Sequence, residues 1–260
     1  MKLIYFSGTG NSLYAAKRLG GELLAVQALQ KSGIYEITGP AVGIICPVYG
    51  FTVPYFVREY LEKATIRSDY VFAVMTFGNS AMAALGCMKE ILEKRGAALH
   101  YGNEIKMVDN YLPLFEMSRQ AAMGKEERFE LELDRIIQDI QERKQVFPRH
   151  SLFKRLVSSA FSALWENKQA MARRDKGFII TDRCNACGTC RKLCPAGNIA
   201  GTGKPVYKGR CAFCLGCIHL CPQNAIHLKN ERSGKRFRNP HVTAAELIQG
   251  NTGGGAVKAL

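Results

Sequence analysis

The sequence predicts an α/β fold with a doubly wound, parallel five-stranded sheet, followed by a small α+β domain. Three observations support this prediction. Short apolar segments alternate with helical patterns along residues 1–116, which is typical of a parallel sheet covered by helices on both faces. A loop rich in glycine and hydroxyl side chains follows the first apolar segment. The last third of the chain contains two cysteine runs with identical spacing.

The composition indicates a globular protein. Of the 260 residues, 47% are hydrophobic, which is enough for substantial cores. No stretch of about 20 apolar residues could span a bilayer, and the apolar part of the N-terminus is too short for a signal peptide. The ten cysteines do not indicate a disulfide scaffold in a chain of this length, since eight of them lie in the two runs. We therefore expect a cytoplasmic protein with reduced thiols.

The excess of positive charge lies mainly in the C-terminal part. The chain carries a net charge of +14, and residues 178–260 hold twelve Lys and Arg against three Asp and Glu. Such a surface attracts acidic partners or nucleic acid. The chain has neither a recognition-helix motif nor the interleaved basic and aromatic residues that bind nucleic acid. We therefore expect an acidic protein partner and no nucleic acid.

The first domain is predicted to span residues 1–147. Its apolar segments predict strands over residues 2–6, 35–37, 42–46, 70–76 and 98–108. Its helical patterns cover residues 13–19, 53–63, 81–95 and 125–145. In parallel sheets of this kind, ligands bind beyond the carboxyl ends of the strands. We therefore expect a binding site in the loops that follow these strands.

The loop after the first strand predicts a phosphate site. Its residues are Ser7, Gly8, Thr9, Gly10, Asn11 and Ser12. A helix follows directly, so backbone N–H groups and the helix dipole converge there, and small residues let an anion approach. The loop lacks the Gly-Lys pair of nucleotide-hydrolysing loops, and Leu13 stands where the dinucleotide fingerprint has its third glycine. The alternative is a turn that holds no ligand.

Residues 1–116 resemble flavodoxins, whose phosphate loop reads Ser/Thr-x-Thr-Gly-Asn-Thr. The resemblance implies FMN as the cofactor, with its phosphate held by Ser7, Thr9, Gly10, Asn11 and Ser12. The loop beside the isoalloxazine would consist of Pro47, Val48, Tyr49 and Gly50, with Tyr49 stacked on the ring. The other side of the ring would be bordered by Thr76, Phe77, Gly78 and Asn79, and the pocket closed by Asn110 and Tyr111. The alternative for Tyr49 and Phe77 is ordinary packing over strand ends.

The two cysteine runs predict iron–sulfur clusters. Each has the spacing Cys-x2-Cys-x2-Cys-x3-Cys-Pro, in which three cysteines hold one cubane and the fourth ligates the other. Cluster one would take Cys184, Cys187, Cys190 and Cys221, and cluster two Cys211, Cys214, Cys217 and Cys194. A pair of zinc sites is the alternative, although zinc more often takes CxxC pairs without a trailing proline. With both cubanes complete, His219 is expected to be a packing residue, and Cys46 and Cys87 core residues.

Two segments outside these domains carry their own patterns. Residues 148–177 are predicted to be a helical linker, with an amphipathic stretch over 152–172 in which Lys and Arg accompany apolar residues. This stretch could pack between the domains or lie on a membrane surface. We expect packing, because a linker between two cofactor domains must bury surface to fix their spacing, and therefore no membrane association. Residues 233–260 form a tail with a basic start that either packs back on the body or serves as a docking strip.

Residues 178–232 resemble bacterial two-[4Fe–4S] ferredoxins, and the domain order resembles fused flavodoxin–ferredoxin proteins of anaerobes. This implies an electron-transfer flavoprotein that passes single electrons between two [4Fe–4S] clusters and FMN. The positive charge of residues 178–260 adds the expectation that the redox protein acting as donor or acceptor is acidic. No acid–base pair accompanies the predicted flavin site, so a carrier is expected rather than a dedicated reductase. Two alternatives stay open: a flavin-dependent reductase of a small molecule, and a redox sensor without FMN. A homodimer is expected if the cofactors of one chain lie too far apart.

Overall fold

A five-stranded parallel sheet forms the centre of the first domain. The computed structural model describes residues 1–122, 125–165 and 173–252. The strands of the sheet are β1 (Lys2–Tyr5), β2 (Glu22–Ala25), β4 (Val42–Pro47), β6 (Val71–Phe77) and β7 (Tyr101–Lys106). They lie in the order β2–β1–β4–β6–β7, and every neighbouring pair is parallel. This order, in which the chain reverses direction across the sheet at β1, is the doubly wound arrangement and confirms the predicted fold class.

Helices cover both faces of this sheet. They are α1 (Asn11–Leu19), α2 (Val26–Lys31), α3 (Tyr55–Leu61), α4 (Ala84–Lys94), α5 (Met117–Ala122) and α6 (Lys125–Gln141). Leu13 of α1 and Leu133 of α6 are fully buried in one apolar cluster. Tyr60 of α3 and Leu85 of α4 are fully buried in a second cluster. The helices predicted over 53–63, 81–95 and 125–145 are therefore present, with ends shifted by a few residues.

The strand predicted over residues 35–37 is present with its bounds shifted by one residue, but it does not belong to the central sheet. Within the described residues, β3 (Glu36–Thr38) pairs only with β5 (Thr65–Arg67), in a separate two-stranded sheet. The edge of the central sheet is instead β2, where no strand is predicted. The Glu-Leu-Leu-Ala sequence of β2 favours a helix, so its strand conformation comes from its parallel pairing with β1.

The cysteine-rich part consists of two similar halves. Antiparallel pairs join β8 (Phe178–Ile180) to β11 (Ile226–Leu228) and β9 (Ile199–Ala200) to β10 (Val206–Tyr207). One short helix lies in each cysteine run, namely α8 (Thr189–Leu193) and α9 (Gly216–His219). Phe213 and Ile218 of the second run are buried in the same apolar cluster as Tyr60 of the first domain. The second run therefore packs directly on the first domain.

Two further helices are α7 (Leu152–Trp165) and α10 (Ala244–Thr252). Helix α7 lies against α4, and Leu152, Phe153, Leu156 and Phe161 are exposed on it. The expectation that this stretch is buried between the domains is therefore wrong for residues 152–163. The remainder of that stretch, residues 166–172, lies outside the described residues, as do residues 253–260. Helix α10 contacts both α2 and α8, so the tail packs back on the body. Nowhere in the described ranges is a helix long and apolar enough to cross a membrane.

Candidate functional site

A cavity of about 480 Å³ lies at the carboxyl ends of the central strands. Its volume falls within the range of about 300–1,000 Å³ that is usual for cofactor pockets. Its lining includes Ser7, Thr9, Asn11 and Ser12 after β1, Pro47, Val48, Tyr49 and Gly50 at the end of β4, Thr76, Phe77, Gly78 and Asn79 at the end of β6, and Asn110 and Tyr111 after β7. The structure thus brings together every predicted flavin residue except Gly10.

Gly10 faces away from the cavity and contacts the C-terminal tail. A Cβ on Gly10 would lie 2.9 Å from the Cβ of Asn239 and 3.0 Å from that of Val242. Its φ of 106° is also in the left-handed region, which glycine adopts without strain. Gly10 is therefore required by the turn and by the tail, and not by direct contact with the cavity.

The N-terminus of α1 opens onto the cavity. The N–H groups of its first turn have no acceptors within the helix, and that turn contains neither an acidic residue nor a capping side chain. Neighbouring polar groups are held in place: Asn11 Nδ2 donates to the Val108 carbonyl at 3.0 Å, and the Ser12 and Thr76 hydroxyls are 2.8 Å apart. Free backbone donors beside an uncompensated helix dipole fit the phosphate of FMN.

Aromatic side chains form much of the remaining wall. Tyr49 meets Phe6 edge-on, with ring centroids 6.3 Å apart, and burial raises the pKa of its hydroxyl well above the usual value. Sequence reasoning missed further aromatic residues of the lining, which are Phe51, Phe115, Phe161 and Phe213. Phe161 comes from α7 and meets Phe51 edge-on, with centroids 4.9 Å apart. An aromatic wall of this kind fits a planar ring system.

Gly78 is required by a close contact at the cavity wall. A Cβ at this position would lie 2.2 Å from the Cβ of Asp109, so a larger residue would displace the loop after β7. Asp109 also lines the cavity and is a residue that the sequence analysis missed. Its carboxylate accepts the Tyr111 N–H at 3.0 Å, which holds the predicted closing residue Tyr111 in the loop.

The second cysteine run touches the predicted flavin site. Phe213, Cys214 and Leu215 line the cavity. A Cβ on Gly8 would lie 2.7 Å from the Cys214 carbonyl oxygen, and a Cβ on Gly216 would lie 2.8 Å from the Gly8 carbonyl oxygen. These two glycines let the phosphate loop and the second run approach with their backbones in contact.

The first predicted cluster site is a small cavity near the surface. Cys184, Cys187, Cys190 and Cys221 line it together, so Cys221 of the second run joins three cysteines of the first. Cys187 is exposed, and the Thr189 hydroxyl, 3.4 Å from its sulfur, lowers the pKa of its thiol. This is the grouping of sulfurs that the spacing predicts for cluster one.

The second predicted cluster site lies deeper than the first, since Cys211 is buried and Cys194, Cys214 and Cys217 are half-buried. Burial raises the pKa of the Cys214 thiol to about 12 and holds the pKa of the Cys217 thiol well above its usual value. The nearby Cys194 thiol adds to both shifts, so this cysteine of the first run lies beside the second. A free thiolate is unfavourable at this depth, whereas a bound iron would hold the sulfur in its thiolate form.

Backbone N–H groups bond to the last cysteine of each run. The Asn198 N–H donates to Cys194 Sγ at 3.2 Å, and the Ala225 N–H donates to Cys221 Sγ at 3.3 Å. Such bonds stabilise ligating thiolates and tune cluster potentials. No three His, Cys, Asp or Glu side chains of the described chain converge on a position for a single metal ion. A cubane instead spreads its four cysteine ligands over separate irons.

His219 connects the second cysteine run to the predicted flavin cavity. Its Nδ1 accepts the Phe237 N–H at 3.1 Å, so Nε2 carries the proton and donates to the Asn110 carbonyl at 2.8 Å. Burial lowers the pKa of His219 to about 4, which keeps the ring neutral. The Asn110 side chain in turn donates to the Thr9 hydroxyl. His219 is buried as expected, but it also links α9 to the loop after β7 and to the C-terminal segment.

The C-terminal segment ties the two domains together. The Asn239 N–H donates to the Thr9 carbonyl at 2.9 Å, and its side chain donates to Asn11 Oδ1 at 3.2 Å. Further along, Asn251 donates to the carbonyl of Leu193 at the end of α8. This segment therefore contacts the predicted phosphate loop from the side opposite the cavity and attaches the first cysteine run to the first domain.

Comparisons with known proteins found similarity to a curated protein and to a solved structure. The chain is similar to an uncharacterized polyferredoxin-like protein from Methanocaldococcus jannaschii, with 42% identity over 64 residues, which are 25% of this chain and 29% of that relative. The match thus spans less than a third of the relative's length. Among solved structures, the chain is similar to the Trp repressor binding protein from Bacillus subtilis, with a TM-score of 0.30 and 11% identity over 40% of this chain and 83% of that one. No protein-family profile matches the chain.

Proposed function

We propose that this chain is an iron–sulfur electron carrier with FMN, which passes single electrons between two [4Fe–4S] clusters and the flavin. The observation that carries the proposal is Cys214, which belongs to the second predicted cluster and also lines the predicted flavin cavity. An electron then has a route between cluster and flavin inside one chain, and this route needs no second copy. The similarity to a polyferredoxin-like protein supports the iron–sulfur part of the proposal.

FMN, when bound, supplies a carrier that accepts one or two electrons. The N–H groups in the first turn of α1 would bind its phosphate, because an anion there compensates both the free donors and the helix dipole. Tyr49, Phe77 and Tyr111 would exclude water from the ring system. Gly50 has a φ of 54°, which only glycine adopts freely, so this loop can approach the ring closely.

The eight cysteines of the two runs would hold the clusters in the crossed arrangement predicted from their spacing. The protein contributes N–H bonds to the sulfurs and a different depth of burial at each site. Both factors change the reduction potential of an iron–sulfur cluster. No side chain needs to act as a nucleophile or as an acid or base in such a carrier.

An acidic redox protein is the partner that we propose for cluster one. Cys187 is exposed, and so are the cationic side chains of Arg183 and Lys192. Lys204 is exposed as well and pairs with Asp182 at 2.8 Å, which neutralises part of this surface. Opposite charges steer protein encounters, so salt should slow electron transfer from an acidic ferredoxin. Reduction by a neutral mediator, with no charge to screen, should not change with salt.

Anaerobic purification followed by flavin extraction and iron analysis tests the cofactor content. We expect about one FMN and about eight iron atoms per chain. After rapid mixing with a low-potential one-electron donor, cluster absorption should bleach before the flavin is reduced. Clusters without flavin, even after FMN is supplied, would contradict the proposal and leave the redox sensor as the better explanation.

A further inference from the structure

Helix α7 packs with its polar side inward. Ser158 and Ser162, one turn apart, are buried against the first domain. The Ser158 hydroxyl accepts the Ala83 N–H at 2.8 Å, and the Ser162 hydroxyl lies 3.2 Å from that of Thr52. These bonds fix the orientation of the helix, so the side opposite the serines must face outward.

The outward side of α7 is a continuous apolar stripe. Leu152, Leu156 and Ala160 recur at every fourth position, with Phe153 beside them, and all are exposed. The exposed fractions of Leu152, Phe153 and Leu156 lie between 69% and 75%. Single exposed apolar residues are common on soluble proteins, whereas a contiguous patch marks an interaction site. Phe161 of the same helix is exposed and lines the flavin cavity, so the apolar surface continues to the cavity mouth.

Exposed cations accompany this stripe, and the acidic residue beside Lys154 is Glu104 of β7, which is largely buried. Helix α7 contains no Asp or Glu, while Lys154 and Arg155 are exposed on it and Arg149 is exposed just before it. The chain as a whole carries a net charge of +14. A second copy placed on the stripe would bring like charges together without an acidic residue of α7 to neutralise them. An anionic surface would attract the same side chains.

We propose that α7 docks the chain on an anionic lipid surface. The apolar stripe would lie at the boundary between headgroups and acyl chains, with Lys154 and Arg155 at headgroup level, as in interfacial helices. The expectation against membrane association depended on burial of residues 152–172 between the domains, and the exposure of Leu152, Phe153 and Leu156 removes that reason for the described part of the stretch. The proposal stands on α7 alone and does not depend on which cofactors the chain carries.

Vesicle flotation of the full chain, purified anaerobically, tests the proposal. One set of vesicles contains phosphatidylcholine alone, and the other contains equal parts of phosphatidylcholine and phosphatidylglycerol. We expect the chain to float with the anionic vesicles, less so as salt rises, and to remain in solution with the neutral ones. The triple variant Leu152→Ser, Phe153→Ser, Leu156→Ser should bind the anionic vesicles at least about tenfold more weakly.

Leu131→Ser is the matched control, because Leu131 lies on α6 and is exposed to a similar extent, 68%. It should float as the unaltered chain does, and the iron content of all variants checks that they are folded. Equal flotation of the triple variant and the unaltered chain would overturn the proposal, as would failure to bind anionic vesicles at low salt. Sedimentation tests a further outcome. If the unaltered chain is a dimer and the triple variant is a monomer, a second copy of the chain covers the stripe, and the proposal of lipid docking is wrong.

Discussion

The two cysteine runs share a backbone conformation but differ in their side chains. Residues with positive φ recur at matching positions of the two runs, in the pairs Ala186 and Phe213, Gly188 and Leu215, and Gly197 and Asn224. A non-glycine residue in the left-handed region costs roughly 1–3 kcal/mol and persists only where its surroundings impose it. The second run has a non-glycine residue at all three positions, and the first run at one. The second run therefore maintains the same loop under more backbone strain.

Packing on the first domain explains why this strain is tolerated. Phe213 and Leu215 are both buried and line the predicted flavin cavity, whereas alanine and glycine occupy the matching positions of the first run. His219 is buried and bonded, whereas the matching Lys192 is exposed. Two runs with the same cysteine spacing can therefore lie in different surroundings. The first run faces solvent and, in our proposal, a partner, while the second faces the cavity in which we propose that FMN binds.

Removing one predicted cluster ligand from each run, in separate variants, should give the largest difference between the two runs. Cys214→Ala and Cys187→Ala should each lower the iron content from about eight to about four atoms per chain, with FMN still bound. Only Cys214→Ala should interrupt electron delivery from the remaining cluster to the flavin, because Cys214 is the ligand that lines the cavity. Iron and flavin analysis with stopped-flow reduction checks this. Equal rates of flavin reduction in the two variants would contradict the placement of the second run on the flavin side.

Truncation of Phe213, the bulky residue of the second run, should have the second-largest effect. Phe213 packs against Tyr111 and Phe178, with ring centroids 6.2 and 6.3 Å away. We expect Phe213→Ala to lower the free energy of unfolding by about 3–5 kcal/mol and to weaken FMN binding, because it opens the cavity wall. Ala186→Gly at the matching position of the first run should change stability by less than about 1 kcal/mol. Anaerobic urea unfolding and FMN fluorescence titration measure both effects, and similar losses in the two variants would show that the runs are equivalent.

Local sequence patterns were sufficient to predict the fold class and the loops around the cavity. The strand, glycine loop and helix at residues 2–19 lie close together in sequence, so their geometry follows from neighbouring residues. The contact between Gly8 and Cys214 joins residues far apart in sequence, and no local rule predicts it. A signal was nevertheless present. Comparing the runs position by position would have shown Phe213 and Leu215 where the first run has Ala186 and Gly188.

The errors at β2 and α7 have a common physical origin. In β2, pairing with β1 overrides the helical preference of its residues. In α7, hydrophobic periodicity identifies an amphipathic helix but does not determine which side turns inward. Ser158 settles this, because its hydroxyl satisfies the otherwise free N–H of Ala83 at the start of α4. Both outcomes depend on tertiary partners that the pattern of one segment does not contain.

Substitution of Gly8 tests the backbone contact between this residue and Cys214, and it should lower stability moderately. Gly8→Ala places a Cβ 2.7 Å from the Cys214 carbonyl oxygen, so we expect a loss of about 1–3 kcal/mol, weaker FMN binding and an altered signal of cluster two. Gly203→Ala is the control, since Gly203 lines the first cluster cavity but has open space around its Cα. It should change stability by less than about 0.5 kcal/mol. Electron paramagnetic resonance at each cluster measures the outcome, and an unchanged cluster-two signal in Gly8→Ala would refute the contact.

Substitution by Gln at the matching positions His219 and Lys192 should give the smallest difference in stability between the two runs. His219→Gln can keep one bond, to the Asn110 carbonyl or to the Phe237 N–H, but a Gln side chain cannot reproduce the fixed geometry of both. We expect a loss of about 0.5–1.5 kcal/mol in urea unfolding and a modest decrease in FMN affinity, because Asn110 also holds Thr9. Lys192→Gln removes only an exposed charge and should stay within about 0.5 kcal/mol of the unaltered chain. Equal losses of stability in the two variants would show that the hydrogen bonds of His219 to Asn110 and Phe237 do not distinguish the second run from the first. The difference between the runs would then rest on Phe213 and Leu215 alone.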